Sequence, residues 1–274
     1  MNADKNSYKK SSFGPAFLFL CKRRREALAV YYAFCRLMDD IADEPDVKDR
    51  LAELALWREE ITRAFNGEAQ TPLGKDIARM APQYGMTQDR FLLLIEGMEA
   101  DVQGRVYKNF EELQWYLWRV AGIVGLATLD ILGIKGPHAQ ELASALGFAV
   151  QLTNIVRDVH EDAALGRVYL PEDLLAKHGL TRRDVLQNQN PARLAAALAE
   201  LAQKDKDFYR RAWDVLHTLP ARKILPCRVM GFVYRANLAK IEKTGFEFDR
   251  AVRLSKTEKA LQCIYALYKT DLAV

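Results

Sequence analysis

The chain has 274 residues, 50% of them hydrophobic and 28% charged, with a net charge of +4. That length can bury a large core, and so modest a charge, with no basic stripe interleaved with aromatics, excludes an extended nucleic-acid groove. Cys21, Cys35, Cys227 and Cys263 stand far apart, without CxxC spacing or a partnering His cluster, which argues against zinc or a disulfide framework and fits a reducing cytoplasm.

Met1 to Lys10 is polar and lacks an apolar signal core, so no secretory signal is expected. Helical periodicity then runs almost throughout, with no period-2 run bounded by hairpin turns; the fold reads as all-α, in one domain over 1–274. A short helix is expected over Ala16 to Cys21 and a long one over Arg23 to Ala42, stopped by Pro45. Lys22-Arg23-Arg24-Arg25, the densest basic run, reads as a solvated helix start or an anionic-lipid contact. Val47 to Phe65 follows, closed by Asn66-Gly67. Thr87 caps a helix reaching about Gly104, Asn109 caps one from Phe110 to about Gly133, and Pro137 opens the next. After a loop over Ala163 to Leu170, Pro171, Thr181 and Pro191 open further helices, the longest from Ala192 to about Leu216. The last two are expected over Ile224 to Thr244 and Lys256 to Tyr268.

The most apolar run, Val120 to Ile134, is shorter than the roughly 20 residues a membrane span needs and contains Asp130, so no transmembrane helix is expected. Its small residues include Gly122 and Gly125, each costing roughly 1 kcal/mol relative to Ala within a helix. Close helix packing and room for a long, thin hydrocarbon are both adequate reasons, and they are compatible.

Two acidic clusters stand out: Asp39-Asp40-Ile41-Ala42-Asp43 and Asp158-Val159-His160-Glu161-Asp162. Each puts an Asp at i and i+4, so on a helix each presents two carboxylates one turn apart, which repel unless a cation sits between them. A solvated acidic face is the ordinary explanation for one such pair. Here Ala33, Phe34, Leu37, Met38 and Ile41 surround the first, and Leu152, Ile155, Val156 and Val159 the second, and charge on an apolar helix is costly unless paired or metal-bound. Two such helices facing each other would hold divalent metal and, through it, a polyphosphate.

The words around these pairs are Tyr32-Ala33-Phe34-Cys35-Arg36, Arg119-Val120-Ala121-Gly122, Gln151-Leu152-Thr153-Asn154-Ile155-Val156-Arg157-Asp158, Gly166-Arg167-Val168-Tyr169-Leu170-Pro171 and Ser11-Ser12-Phe13. With them the chain resembles the squalene/phytoene synthase family from about Ser11 to the C-terminal helix. The resemblance implies an all-α isoprenoid-synthase bundle around an apolar cavity, joining two prenyl diphosphates head to head (C1′–1) with Mg²⁺, or Mn²⁺ in its place. It implies Asp39, Asp43, Asp158 and Asp162, with Asn154, as the metal-binding set. Tyr32, Arg36, Gln151, Asn154 and Arg157 match positions around the diphosphates, and Ser11, Ser12 and Phe13 match an N-terminal flap. Tyr116, Tyr169, Tyr234 and Arg36 match positions tied to catalysis; for Tyr234 a core ring with a satisfied hydroxyl is an equal alternative.

The chemistry of these residue types agrees. Mg²⁺ takes oxygen ligands, typically one or two carboxylates plus substrate phosphate, and Arg36 and Arg157 can meet phosphate bidentately. A carbocation must be kept from water, and Phe13, Phe17, Phe34, Leu126, Leu129, Phe148 and Leu152 are candidates for the chamber wall. His160, where relatives often carry a small residue, reads as a packing residue, because magnesium prefers oxygen. Cys21 stands where the family commonly has Pro. Arg250 and Arg253 straddle the position of a phosphate-facing Arg, leaving either available.

The compact size, the stretch from Ser11-Ser12-Phe13 to Asp43 and the ending from Gly231 to Lys256 look most like bacterial presqualene diphosphate synthases of hopanoid pathways, so farnesyl diphosphate is the expected substrate in both roles. Phytoene or dehydrosqualene synthase is the second reading, a non-catalytic assembly factor the third; a one-substrate terpene cyclase fits the arginine and flap words poorly. No Gly-rich dinucleotide fingerprint follows a strand, and NADPH use stays open, as does the oligomeric state. The expected location is cytoplasmic, with peripheral contact at the inner membrane face fitting a water-insoluble product.

Overall fold

The structure is a computed structural model and describes residues 20–44 and 47–269. The described residues form helices and connecting turns, with no strand among them. Helix α1 (Lys22–Asp43) buries Ala27, Leu28, Tyr31, Phe34, Leu37, Met38 and Ile41 at helical spacing. It ends at Asp43, and the Glu44 N–H still reaches the Asp40 carbonyl at 2.9 Å.

Helix α2 (Arg50–Phe65) begins three residues after the expected Val47, because the Asp49 side chain accepts the Ala52 N–H at 3.0 Å and fixes the start there. Helix α3 (Pro72–Tyr84) is absent from the expectations above. Its signals are nonetheless present: Thr71 accepts the Gly74 N–H at 2.9 Å, Pro72 stands at the first position and Gly85 closes it at φ +66°. Pro82 near its end masks the helical pattern. Helix α4 (Asp89–Val102) has Gln88 rather than Thr87 at its cap, with no side-chain bond; Thr87 offers only its carbonyl, to the Arg90 N–H at 3.1 Å.

The expected helix from Phe110 to Gly133 is two, α5 (Phe110–Leu117) and α6 (Ile123–Leu132), joined by a π-helical turn over Trp118–Gly122. The stretch Phe110–Leu132 is long and apolar enough to cross a membrane, but 61% of its apolar window is buried inside the protein. Helix α7 (Pro137–Arg157) stops one residue before the second acidic pair, and a short α8 (Val159–Ala164) follows a break at Asp158. Main-chain bonds of 2.8 Å from Asp158 to Asn154 and from Asp162 to Asp158 carry the helical register across that break. Then come α9 (Glu172–Lys177), α10 (Arg182–Leu186), α11 (Pro191–His217), α12 (Ala221–Glu242) and α13 (Lys256–Tyr268).

Helix α7 is the central element, packed against the π turn, α6, α11 and α12, while α1 packs against α2, α3, α4 and α6. The glycines set the closest approach. A Cβ on Gly147 would lie 2.9 Å from the main-chain carbon and oxygen of Ala121, and one on Gly125 3.3 Å from the Ala143 Cα. Val120, Ala121, Val124 and Gly125 also line a cavity, so both reasons for small residues hold together.

Candidate active site

Helix α1 turns Leu28, Tyr32, Cys35, Asp39 and Asp43 toward one cavity; α7 turns Ala143, Gly147, Val150 and Asn154 toward the same space, and Asp158, just past its end, continues the series. Both series step by 4, 3, 4 and 4 residues, which keeps a single helical face aligned. Each runs from small or apolar groups to carboxylates, so the cavity of about 430 Å³ has one acidic end and one apolar end. From Asp39 to Leu28 the wall extends about 16 Å, at roughly 1.5 Å per residue.

The acidic end joins both pairs predicted from spacing. Asp39, Asp43, Asp158 and Asp162 all border it, with Tyr32, Arg36, Gln151, Asn154, Arg157, Tyr116 and Tyr169. Arginines partner most of the carboxylates. Arg36 lies 2.7 Å from Asp40 and 3.9 Å from Asp39, and Arg157 donates to Asp158 at 2.8 Å. Arg167 reaches from the loop after α8 to Asp43 at 2.5 Å and to the Ala42 carbonyl at 3.1 Å, tying the two acidic helices together. Arg253 donates to Asp158 at 3.1 Å and to Glu161 at 2.7 Å. Arg253 is therefore the C-terminal arginine at this end.

Burial and crowding raise two of these carboxylates. Burial, then the neighbouring Asp43, pushes Asp39 up to about 7, against the pull of Arg36. Burial, then Asp158, pushes Asp162 up to about 8. The Asp39 side chain is 52% accessible and opens onto the cavity.

Between the pairs lies Asp101, which spacing in the sequence does not reveal. Its carboxylate accepts the Tyr116 hydroxyl at 2.9 Å and the Tyr169 hydroxyl at 2.8 Å. The two phenol rings stack at 5.0 Å. Burial pushes Asp101 up to about 6, with Arg167 and both tyrosines pulling it down. Its sequence signal is weak: Asp101 lies on the face of Leu94 and Met98, seven and three residues after them, while Glu96 and Glu99 in the same stretch make one more acid unremarkable.

Other expectations fare differently. Tyr234 is buried behind Arg157, to which it hydrogen-bonds, rather than on the cavity wall. His160 packs edge-on to Phe248 at 5.7 Å, as a packing residue should. Among the candidate wall residues, Leu129 lines the cavity. Phe34 instead packs on Phe91 at 5.2 Å and Phe148 on Phe208 at 5.4 Å, and Leu152 lies fully buried in the core. Each of these three sits off the stripe that faces the cavity; Leu94, Met98, Leu142, Leu146 and Met230 form the wall in their place. Ser11, Ser12, Phe13 and Phe17 lie outside the described residues.

The donor set suits a hard divalent cation. Oxygens dominate it, and the Asn154 Oδ1 is buried without a hydrogen-bond partner while its amide nitrogen faces Gln151 at 3.3 Å. An orphaned buried carbonyl oxygen beside repelling carboxylates is what a cation would satisfy. Among the described residues no three His, Cys, Asp or Glu side chains converge enough to enclose an ion alone. A magnesium held by one or two carboxylates per helix, completed by phosphate and water, requires no such cage.

A helical bundle with opposed acidic pairs at the mouth of an apolar cavity defines an isoprenoid-synthase fold. The chain belongs to the squalene/phytoene synthase family, a family of prenyltransferases, whose model matches residues 8–258. It is 36% identical over 261 residues to a presqualene diphosphate synthase of Rhodopseudomonas palustris, covering 94% of this chain and 93% of the relative. The crystal structure of squalene synthase HpnC from Alicyclobacillus acidocaldarius superposes with a TM-score of 0.82 at 28% identity, covering 89% of this chain and 92% of that one. A dehydrosqualene synthase in complex with ligand gives 0.84 at 25% identity, covering 96% and 93%.

Proposed function

We propose that this protein condenses two molecules of farnesyl diphosphate head to head into presqualene diphosphate, losing one diphosphate and one proton and keeping the second diphosphate. The observation that carries this reading is the single cavity with both acidic pairs at one end and an apolar wall at the other. The similarity to presqualene diphosphate synthases supports the choice of substrate.

Mg²⁺, assigned to Asp39, Asp43, Asp158, Asp162 and the Asn154 oxygen, would neutralise the leaving diphosphate so that the allylic C–O bond ionises without a strong acid. Arg36, Arg157, Gln151 and Tyr32 orient the diphosphates, with Arg167 and Arg253 exchanging carboxylate for phosphate partners as substrate enters. Leu94, Met98, Val120, Val124 and Leu146 hold the prenyl chains and exclude water. The stacked Tyr116 and Tyr169 rings border the acidic end, where a ring face stabilises positive charge. Both hydroxyls donate to Asp101, so a tyrosine oxygen that takes up the proton released when the cyclopropane closes can pass its own hydroxyl proton to the Asp101 carboxylate, which ends as the protonated acid. Tyr234 supports Arg157 from behind.

The double substitution Asp39→Asn and Asp158→Asn tests the assignment. It is expected to abolish turnover of farnesyl diphosphate while circular dichroism keeps its helical signal; undiminished turnover would overturn the reading. The four free cysteines favour a reducing cytoplasm and the water-insoluble products expected downstream favour contact at a membrane surface; fractionation of cells checks both.

A further inference from the structure

Between α12 and α13 the chain runs over residues 243–255 without a helix, and this loop carries Arg253 to the acidic end of the cavity. A connection of this length usually serves a function, and this one is held at several places. It leaves α12 through Gly245 and Phe246, both left-handed at φ +66° and +62°. A bulky residue rarely adopts that conformation, and Phe246 is half-buried against the core in return. Phe248 then packs edge-on to His160 of α8. At the far end a capping box between Ser255 and Glu258 opens α13, and Lys240 holds Glu258 at 2.9 Å.

The tightest hold falls on either side of Arg253. Asn237 of α12 is only 6% exposed, and its side chain bonds to main-chain groups of the loop. Its amide nitrogen donates to the Val252 carbonyl at 2.9 Å, and its carbonyl oxygen accepts the Leu254 N–H at 3.3 Å. Lys240, on the same face of α12, donates to the Arg253 carbonyl at 3.3 Å. Val252 and Leu254 pack into the core, so Arg253 between them points outward, as alternate residues of an extended segment do. Its guanidinium meets Asp158 at 3.1 Å and Glu161 at 2.7 Å. An apolar residue of the same size would serve packing alone. A buried amide is costly unless both its ends are satisfied, and here the main chain beside Arg253 satisfies both.

We propose that Asn237 and Lys240 are positioning residues for Arg253, fixing the main chain of residues 252–254 so that the guanidinium stands beside Asp158 and Glu161 and meets diphosphate as it enters. This deepens the proposed function and rests on its reading of the acidic end as a diphosphate site. A long side chain on an unheld loop would have to be ordered, together with its main chain, when the ligand binds, and that ordering weakens affinity. With the main chain already held, only the side-chain dihedrals of Arg253 remain to be set. Asn237 lies behind the loop and outside the cavity wall, so its effect passes through Arg253.

Calorimetric binding of inorganic diphosphate with Mg²⁺ to the full chain, measured through a double-substitution cycle, tests it. Arg253→Gln is expected to weaken binding about tenfold and Asn237→Leu about fivefold. The double variant should bind no more weakly than Arg253→Gln alone, because no guanidinium remains to be positioned. Lys240→Met, at a partly exposed position, should give a smaller loss that also vanishes beside Arg253→Gln, and it carries the test if Asn237→Leu does not fold. Losses that multiply to about fiftyfold in the double variant, as independent structural damage would, overturn the proposal. So does binding by Asn237→Leu and Lys240→Met equal to wild type, or a wild type that does not bind diphosphate. The binding cycle needs no turnover. A protein that follows it yet makes no presqualene diphosphate refutes the substrate reading alone, and one that makes presqualene diphosphate with multiplied losses refutes this inference alone.

Discussion

Replacing Gly147 by Ala probes the closest contact that shapes the site. The new Cβ would meet the Ala121 carbonyl carbon and oxygen at 2.9 Å and the Gly122 Cα at 3.0 Å, all main-chain atoms that cannot swing aside. Ordinary carbon contacts lie at about 3.5–4.0 Å, so α7 and the π turn must separate by roughly 0.6 Å or more. Overpacking costs about 1–3 kcal/mol and the gain in helix propensity returns about 1 kcal/mol. A net loss of up to about 2 kcal/mol lowers Tm by about 4–8 °C in a chain near this size. Activity should suffer more, because Asn154 lies two turns along the same face and misplacement by about 1 Å can cost 100-fold. Gly125→Ala is the control: its nearest neighbours are at 3.3–3.5 Å and include the Ala143 side chain, so its effect should be much smaller. Calorimetry and steady-state kinetics on both variants decide the matter. A Gly147→Ala protein that melts and turns over like wild type would refute the reasoning.

The crowded carboxylates predict a pH effect. Asp39 and Asp162 sit at about 7 and about 8 when folded, above their ordinary carboxylate values. The native state therefore binds protons that the unfolded chain releases, and metal-free stability should fall as pH rises from about 4 through 8. Added Mg²⁺ should restore stability at the alkaline side and release protons on binding, visible in melts and in calorimetry across buffers. Asp101→Asn leaves one tyrosine hydroxyl without its carboxylate acceptor, which should cost about 1–3 kcal/mol in thermal melts and lower kcat. Arg253→Gln removes a half-exposed partner of Asp158 and Glu161. Stability should change by no more than about 1 kcal/mol, while the KM for the diphosphate substrate rises.

Local regularity made the helices and both acidic pairs legible in the sequence. The spacing from Leu28 to Asp43, and from Ala143 to Asp158, repeats the helical face that meets the cavity, so each Asp could be placed by counting. Counting also explains the errors. Phe34 and Phe148 are apolar and near the right words, but each lies off the facing stripe and packs into the core. Asp101, Arg167 and Arg253 reach the site from α4 and from two loops, and only tertiary packing brings them together. The π turn over Trp118–Gly122 and the break at Asp158 both interrupt stretches whose composition reads as continuous helix. Helix α3 was hidden by Pro82 although its cap, Thr71-Pro72, was in plain view.

Incubation of the purified protein with farnesyl diphosphate and Mg²⁺, without NADPH, followed by mass spectrometry of the products, tests the central claim most directly. The account predicts presqualene diphosphate, a C30 product that retains one diphosphate. No C30 product, or a C40 product formed from geranylgeranyl diphosphate in preference, would contradict it.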